Sequence, residues 1–262
     1  MQIPIYLVNA FTDKLFAGNP AAVCILSEWL PENRLQDIAK ENNLPVTAFL
    51  LRENDQFHVR WFTPEYELDL CGHGSLAASY VIFNYLEPRW QEIHLQSRTE
   101  LLHVLRVNDF ISLNFAAKDF ESCSLPLLGQ GLGLTPKEIY QYKNERCMVV
   151  YNTEDQVKQL KPNMEILKKI AHRGITVTAP GEAVDFVSRT FYPHKIISED
   201  PVTGASHCLL APYWSKKLNK TKLHAKQVSA RGGEIFCEYQ NNRVWISGKA
   251  VLYMQGKANI ST

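Results

Sequence analysis

Two glycine-containing turns are the part of this sequence best suited to chemistry. Asp69-Leu70-Cys71-Gly72-His73-Gly74 and Glu199-Asp200-Pro201-Val202-Thr203-Gly204 each lead into an apolar segment of helical length. A buried helix has unpaired N–H groups and partial positive charge at its first turn, and glycine lets ligand atoms approach that backbone. Two such helix ends at one interface would bind a carboxylate or a developing enolate. Alternatively, the glycines only make tight strand-to-helix turns; we favour binding because the turns form a matched pair.

The segment in front of each turn is also repeated. Residues 57–64 and 186–193 share the spacing F-x-x-R-x-F-x-P, with Arg60 and Arg189 at the same place. This repeat predicts that residues 57–86 and 186–218 form similar strand–turn–helix units related by a pseudo-twofold axis. Because the two arginines occupy repeated strand positions, we expect a shared structural ion pair or hydrogen bond rather than substrate binding.

The composition is that of a globular protein without a strongly charged surface. Of 262 residues, 45% are apolar, which is enough for one large domain or two of ordinary size. Lys and Arg number 28 against 27 Asp and Glu, without a long charged block, so nucleic acid and membrane surfaces are not expected partners.

Apolar stretches such as residues 76–83 are too short to span a bilayer, and Met1 runs into a strand-like segment. We therefore expect a cytoplasmic protein.

The cysteines and histidines show no metal-binding pattern. The six cysteines lack CxxC or Cys/His spacing, so neither a zinc site nor a disulfide framework is expected, and five are interpreted as small buried hydrophobes. Cys71 is set apart by its neighbours. The histidines outside the first turn share no motif and are expected on the surface or in the core, although His207 could line a ligand site; they are His58, His94, His103, His172, His194, His207 and His224.

Strands and helices alternate along the first half. Residues 3–10 predict a strand, and residues 31–41 predict a helix that ends at Asn42-Asn43. Short apolar stretches at residues 93–96, 101–107 and 111–115 are joined by turns such as Asn108-Asp109. This pattern indicates an antiparallel meander and argues against a doubly wound parallel sheet.

The second half begins with helical signals. Thr135-Pro136-Lys137-Glu138 predicts a capping box that opens a helix. Asn163 predicts the cap of another helix, which carries Ile166, Leu167, Ile170 and Ala171 and ends at Gly174. Strands are predicted at residues 175–179 and 184–188, and Asn241-Asn242 predicts a hairpin turn between residues 234–239 and 243–247.

Taken together, the motifs resemble those of the PhzF-like phenazine-biosynthesis family, which shares the fold of diaminopimelate epimerase. The resemblance spans nearly the whole chain and rests on residues 9–12, 16–23, 60–64, 70–74, 199–204 and 231–233 in family order and spacing. It implies an α+β fold of two similar domains, each a largely antiparallel sheet around a central helix. We place these domains at residues 1–117 and 118–262, with central helices after Gly74 and Gly204 and a last strand that could cross back to the first half.

The resemblance also implies isomerase chemistry. The expected site is a cleft between the domains, without metal or organic cofactor, in a homodimer that acts on a small carboxylate-bearing metabolite. His73 matches the family histidine and Asp200 the family aspartate. The family base is the glutamate of Asn-Leu-Ser-Glu-Thr, whereas this chain has Asn43-Leu44-Pro45-Val46-Thr47, so Val46 occupies the position of the base.

The substrate-binding residues implied by the same resemblance lie around the two turns. Ala205 stands where the family usually has the serine of Gly-Ser-Ala-His, and Ser206 is one step further along the helix. The predicted substrate contacts are Asn19, Pro45, Gly72, Gly74, Thr203, Gly204, Ala205 and Ser206.

Three mechanisms remain open because valine cannot accept a proton. His73 and Asp200 could share the acid–base work, since histidine titrates nearest neutral pH. Cys71 could act as the base, because it occupies the place of the first catalytic cysteine of diaminopimelate epimerase; the second would fall near Pro201, which excludes a two-thiol mechanism. The third alternative is a catalytically silent protein that binds a small molecule or another protein. Val46 itself either projects into the cleft from the start of a strand or packs into the core.

Overall fold

The computed structural model describes residues 1–143, 145–170 and 172–260, so the predicted helical residue Ala171 lies outside the described residues. The chain divides into two units: unit 1 comprises Met1–Asn114 together with the segment from Ile246 onward, and unit 2 comprises Phe115–Trp245. The boundary therefore lies three residues before the predicted one, and the last strand belongs to unit 1, as the predicted crossing back to the first half allowed.

Unit 1 is a mixed sheet packed on a buried helix. Its elements are β1 (Gln2–Ala10), β2 (Asn19–Leu26), α1 (Glu32–Asn42), β3 (Val46–Glu53), β4 (Gln56–Phe62), β5 (Glu67–Leu68), α2 (Gly72–Val81), a π-helical turn (Ile82–Leu86), β6 (Glu92–Gln96), β7 (Leu101–Val107) and β8 (Phe110–Ala116).

Unit 2 is also a mixed sheet with a buried helix, but among the described residues it has four α-helices where unit 1 has two. Its elements are β9 (Glu121–Ser122), α3 (Pro126–Leu132), β10 (Glu138–Tyr142), β11 (Arg146–Val150), α4 (Glu154–Gln159), α5 (Met164–Leu167), β12 (Gly174–Pro180), β13 (Phe186–Phe191), β14 (Glu199–Asp200), a 3₁₀ turn (Gly204–Ser206), α6 (His207–Leu218), β15 (Lys222–Gln227) and β16 (Gly233–Gln240). β17 (Arg243–Gly248) crosses the boundary between the units, and β18 (Ala250–Asn259) pairs with β1 in unit 1.

The two sheets repeat one order of pairing. In unit 1, β1–β2 is antiparallel, β2–β3 parallel, β3–β4 antiparallel, β4–β6 parallel and β6–β7 antiparallel. In unit 2, β10–β11, β11–β12, β12–β13, β13–β15 and β15–β16 follow the same sequence of directions. The predicted α+β class and the repeat of similar strand–turn–helix units are therefore confirmed.

Each unit has a central helix that is apolar on nearly every side. In α2, all residues except Tyr80 are buried, and the hydroxyls of Ser75 and Ser79 donate to the carbonyls of Cys71 and Ser75. In α6, eight of the first nine residues are buried. Such helices contribute stability mainly by burying apolar surface in the sheet, and their polar groups are satisfied locally.

Among the described residues, no helix combines the length and hydropathy that crossing a membrane requires.

Two helix predictions in the second half need correction. Thr135-Pro136-Lys137-Glu138 does not open a helix, because Glu138 begins β10, which pairs with β11 from Glu138↔Val150 to Tyr142↔Arg146. The Glu138 carboxylate accepts hydrogen bonds from Tyr140 and Tyr213 instead of closing a capping box. A capping box does form at the start of α4, between Thr153 and Gln156.

The Asn163 cap is confirmed, but the helix is shorter than predicted. The Asn163 side chain accepts hydrogen bonds from the amides of Glu165 and Ile166. The helix that follows, α5, has only four residues, and Gly174 is the first residue of β12, not a helix end. The predicted turns at Asn43 and at Asn241-Asn242 do adopt positive φ, which asparagine tolerates.

Candidate active site

The first glycine turn brings a thiol and an imidazole together at the start of α2. Cys71 is the N-cap in extended conformation, and the amide and hydroxyl of Ser75 both donate to its carbonyl, at 2.9 Å and 2.7 Å. The Cys71 Sγ lies 3.5 Å from His73 Nδ1, and both side chains are buried. The two atoms are within hydrogen-bond distance for sulfur, so the turn places a thiol and a titratable ring together at the positive end of a buried helix.

Gly74 has no room for a side chain. A Cβ at this position would lie 2.8 Å from Trp61 Cδ1, 3.1 Å from Val46 Cγ1 and 3.2 Å from Cys71 Sγ. Close approach of the backbone to these groups therefore requires glycine here. The same distances locate Val46: its side chain is 0% exposed and packs against the first turn of α2, the turn that carries His73.

Of the two alternatives considered for Val46, the structure shows packing into the core. Val46 is the first residue of β3 and pairs with Ala21 of β2 in parallel register. It packs into the core of unit 1, as any β-branched strand residue would, and it does so beside the glycine turn. A longer side chain at this position would begin beside Gly74.

The second glycine turn holds Asp200 through a set of short hydrogen bonds. The Thr203 hydroxyl donates to Asp200 Oδ2 at 2.7 Å. The Gln227 side chain donates to the Asp200 carbonyl at 2.7 Å and accepts from the Thr203 amide at 2.8 Å, and it is completely buried. The Ser229 hydroxyl donates to the Pro201 carbonyl at 2.7 Å. Residues 200–203 are therefore fixed from β15 and the segment after it, which limits the positions of the Asp200 carboxylate.

His207 begins α6 and is fixed in one tautomer. Its Nδ1 lies 3.0 Å from the Thr203 carbonyl, and a carbonyl only accepts, so Nδ1 carries the proton. Burial lowers the pKa of His207 to about 4, against the weaker opposing effect of hydrogen bonds with Thr203 and Gly204. The ring is thus neutral at physiological pH, and it packs beside Phe186. These contacts favour a core role for His207 over a ligand contact.

The strand registers define which residues of the two turns are equivalent. β4 pairs with β5 at Phe62↔Glu67, and β13 pairs with β14 at Phe191↔Glu199. Glu67 and Glu199 each precede the first glycine of their turn by five residues. Asp200 is therefore equivalent to Leu68, and Ala205 to His73. Cys71 is equivalent to Thr203, which corrects the placement near Pro201; since threonine is not a thiol, a two-thiol mechanism stays excluded.

The repeated arginines make the same ion pair in both units, as predicted. Arg60 donates to both carboxylate oxygens of Glu67 at 2.7 Å, and Arg189 donates to those of Glu199 at 2.8 Å and 2.9 Å. Burial disfavours the charged form of Glu67, but bonds from Arg60 and Arg98 outweigh it and lower its pKa. Glu67 is therefore a structural ion-pair partner and not a free carboxylate available to accept a substrate proton.

The remaining predicted contacts fall into two groups by burial. Asn19, Gly72, Gly74, Thr203, Gly204 and Ser206 are buried, whereas Pro45 and Ala205 are half-buried. The Ser206 hydroxyl donates to the Thr203 carbonyl at 2.7 Å, so it stabilises the helix start. Sequence patterns did not indicate Gln227, whose partners lie more than twenty residues away.

The sequence model of the PhzC-PhzF family, described as phenazine biosynthesis-like proteins, matches residues 8–256. The chain belongs to this family. An uncharacterized isomerase of Pseudomonas aeruginosa is 43% identical over 261 residues, which cover 99% of this chain and 100% of the relative. The human phenazine biosynthesis-like domain-containing protein is 35% identical over 286 residues, covering 98% of this chain and 99% of its own length.

Solved structures of the PhzF family have the same fold. A PhzF-family crystal structure from Enterococcus faecalis has a TM-score of 0.95 and 44% identity, covering 99% of this chain and 100% of its own. The fold extends to a predicted epimerase of Pseudomonas aeruginosa, with a TM-score of 0.77 at 17% identity, covering 99% and 100% of the two chains. The fold is therefore that of PhzF-family isomerases and epimerase-like proteins, as the motifs indicated.

Proposed function

We propose that this PhzF-family protein is an isomerase or epimerase that moves a proton on a small carboxylate-bearing metabolite, with His73 and Asp200 as its acid–base groups. The supporting observation is the asymmetry of the repeat. The unit 2 equivalent of His73 is Ala205, and the unit 1 equivalent of Asp200 is Leu68. Each copy of the turn thus contributes one of the two proposed acid–base groups, as a pair acting on one substrate from two sides requires.

In the proposed reaction, the neutral His73 imidazole removes a proton from a carbon next to the activating group of the substrate. The electron pair of that C–H bond passes into an enolate, which the backbone N–H groups of the glycine turns stabilise. The His73 imidazolium then returns the proton to a different carbon or to the opposite face of the same carbon. Alternatively, protonated Asp200 donates a proton there, and the His73 imidazolium passes its own proton through solvent to the Asp200 carboxylate before the next cycle. Proton count and charge are restored at the end of the cycle, and the proposed reaction uses no metal or organic cofactor.

The proposal includes the loss of the family base at Val46. An apolar side chain beside the first turn of α2 leaves His73 without a carboxylate across the substrate. Loss of a general base typically costs about 10²–10⁴-fold in rate. We therefore expect slow turnover of the dihydro-hydroxyanthranilate type of substrate that phenazine-making relatives use. We propose that the substrate site lies between unit 1 and unit 2 of one chain, and that the protein is a cytoplasmic homodimer.

A second candidate function follows from the same residue. Val46 is fully buried, and Ala205 lacks a hydroxyl, so the family fold could serve as a catalytically silent protein that binds a small molecule or another protein. The thiol–imidazole contact of Cys71 and His73 favours the enzyme, because a silent protein has no need for a titratable pair at a helix start.

Hydrogen exchange with solvent separates the two functions. The protein is incubated in deuterated water with a panel of small carboxylates that carry an acidic C–H, and deuterium incorporation is followed by NMR and mass spectrometry. We expect enzyme-dependent incorporation into at least one compound, lost in His73→Asn and in Asp200→Asn. Saturable binding of a panel compound without exchange would favour the silent function.

A further inference from the structure

We propose that Glu92, His94 and His103 on the outer face of the β6–β7 hairpin bind a divalent transition-metal ion, with Zn²⁺ as the probe. The proposal departs from the expectation that the chain has no zinc site. Its residues lie in unit 1 and outside both glycine turns, so it is independent of the proposed isomerase chemistry.

The strand register brings the two imidazoles face to face. β6 and β7 are antiparallel, and His94 is directly opposite His103. Their rings are stacked, with centroids 5.0 Å apart and planes 8° from parallel. Residues opposite each other on paired strands have Cβ atoms about 4.5–5.5 Å apart, so rotation about the side-chain torsions can bring both imidazoles to one ion. The histidines are nine positions apart in sequence around the connecting turn, so CxxC-like spacing does not reveal the pair.

Glu92 supplies the third ligand from the same face. It is two residues before His94 on β6, and alternate side chains of a strand project to one side. Its Oε1 lies 2.8 Å from His103 Nε2, so the carboxylate already contacts one imidazole. One ligand atom from each of the three side chains lies within 4.8 Å of the others.

This arrangement needs only a small adjustment to coordinate zinc. Zn–N and Zn–O distances of about 2.0–2.2 Å in a tetrahedral site place neighbouring ligand atoms about 3.3–3.5 Å apart. Glu92 and His94 are exposed and His103 is half-buried, so rotation of the side chains can close the remaining gap without moving the strands. Two imidazoles and a carboxylate leave the fourth position to water. Imidazole ligands favour Zn²⁺, Cu²⁺ and Ni²⁺, whereas Mg²⁺ and Ca²⁺ prefer oxygen ligands alone.

The same sheet provides a matched control. His58 on β4 pairs with Glu53, with His58 Nε2 3.3 Å from Glu53 Oε2. The side chains of that pair are 28% and 53% exposed, close to the 33% and 56% of His103 and Glu92. The described residues form only one cluster of three metal-ligating side chains, and His58 is not in it. His58→Ala therefore removes a comparable histidine–glutamate pair without touching the proposed ligands.

Calorimetric titration of the full chain with Zn²⁺ tests the proposal. We expect one Zn²⁺ per chain, binding weakened about tenfold or more in His94→Ala and in His103→Ala, and unchanged binding in His58→Ala. Cys123 is a half-buried cysteine that could bind zinc instead, so Cys123→Ser is a second control and is also expected to bind as the parent does. Titration with Mg²⁺ at the same concentrations should give the same heat for the parent chain and for His94→Ala.

Two further measurements show whether the variants remain folded and which histidines respond to Zn²⁺. Thermal unfolding in EDTA should be the same for all variants, because the substituted side chains are not core residues. Imidazole proton resonances of the unsubstituted chain should shift on Zn²⁺ addition for His94 and His103 but not for His58. The proposal is overturned if the His94 and His103 variants bind Zn²⁺ as tightly as the parent, or if Cys123→Ser abolishes binding.

Discussion

At residue scale, the first glycine turn leaves no free space. Val46, Trp61 and Cys71 all contact the position that a Gly74 side chain would occupy. The sequence motif was interpreted as a place where ligand atoms approach the backbone, with a tight turn as the alternative; at Gly74 the structure shows protein side chains in close contact, a packing reason for glycine. Cys71 belongs to the turn itself, but Val46 and Trp61 could not be predicted as neighbours, because they come from β3 and β4 and depend on the register of the sheet.

Substitution of Gly74 by alanine should destabilise unit 1. The new Cβ would overlap Trp61 and crowd Val46, and overpacking of this kind typically costs about 1–3 kcal/mol. Gly129 in α3 is the control, since a Cβ there meets nothing closer than 3.7 Å. Gly129→Ala should leave stability unchanged or raise it by up to about 1 kcal/mol through helix propensity. Urea unfolding compares the two, and equal effects would contradict the crowding at Gly74.

His207 should make stability depend on pH in mild acid. Its pKa is lowered to about 4 in the folded state, against about 6.5 in an unfolded chain, so the unfolded state binds more protons between these values. The free energy of unfolding should therefore fall as pH decreases through this window, by up to about 3 kcal/mol. His207→Asn keeps a donor for the Thr203 carbonyl but cannot titrate, so it should flatten this part of the profile. An unchanged slope in the variant would show that another group causes it.

At element scale, the strand before each turn is anchored by one arginine. Arg60 and Arg189 clamp the short strands β5 and β14 through two-point ion pairs, and Arg189 also donates to the carbonyls of Val157 and Leu160. The repeated spacing predicted both ion pairs, since two copies with the same arginine indicate a shared structural role. The Thr135 capping-box prediction failed because the Ile-Tyr-Gln-Tyr sequence after Glu138 pairs with β11, so tertiary pairing overrides the local helix signal.

Substitution of either arginine should lower the free energy of unfolding more than loss of an exposed ion pair does. Arg60→Met should lower the free energy of unfolding by about 1.5–3 kcal/mol, because a part-buried carboxylate loses charge-assisted bonds. Arg189→Met should cost at least as much, since carbonyls of the α4 region also lose their donor. Lys168→Met breaks only the exposed pair with Glu165 and should change stability by less than about 1 kcal/mol. Denaturant unfolding measures the three variants. The expected order would be contradicted if Lys168→Met lowered the free energy of unfolding most.

At the scale of the whole molecule, the repeat was the most useful part of the sequence. F-x-x-R-x-F-x-P followed by a glycine turn predicted two similar units, and the matched order of strand pairings confirms them. The repeat did not predict contacts between residues that are far apart in the sequence. Gln227 contacts residues of the Asp200 turn from β15, and the His94–His103 pair depends on strand register, so neither is visible as a local motif.

The central proposal is that a PhzF-family fold performs proton transfer with His73 and Asp200 while Val46 occupies the position of the usual base. Turnover of a dihydro-hydroxyanthranilate substrate by the parent chain, Val46→Glu and Val46→Gln tests it most directly. Glutamine has nearly the size of glutamate but cannot accept the proton, so it controls for the effect of a longer side chain beside Gly74.

The kcat of the parent chain should be lower than that of Val46→Glu by about 10²-fold or more, and Val46→Gln should resemble the parent. Thermal unfolding identifies any variant that fails to fold, and solvent-hydrogen exchange on a bound substrate gives a second reading of base activity. A parent chain that already turns over this substrate at about 1–10³ s⁻¹, typical of enzymes, would contradict the account, because the base would then lie elsewhere.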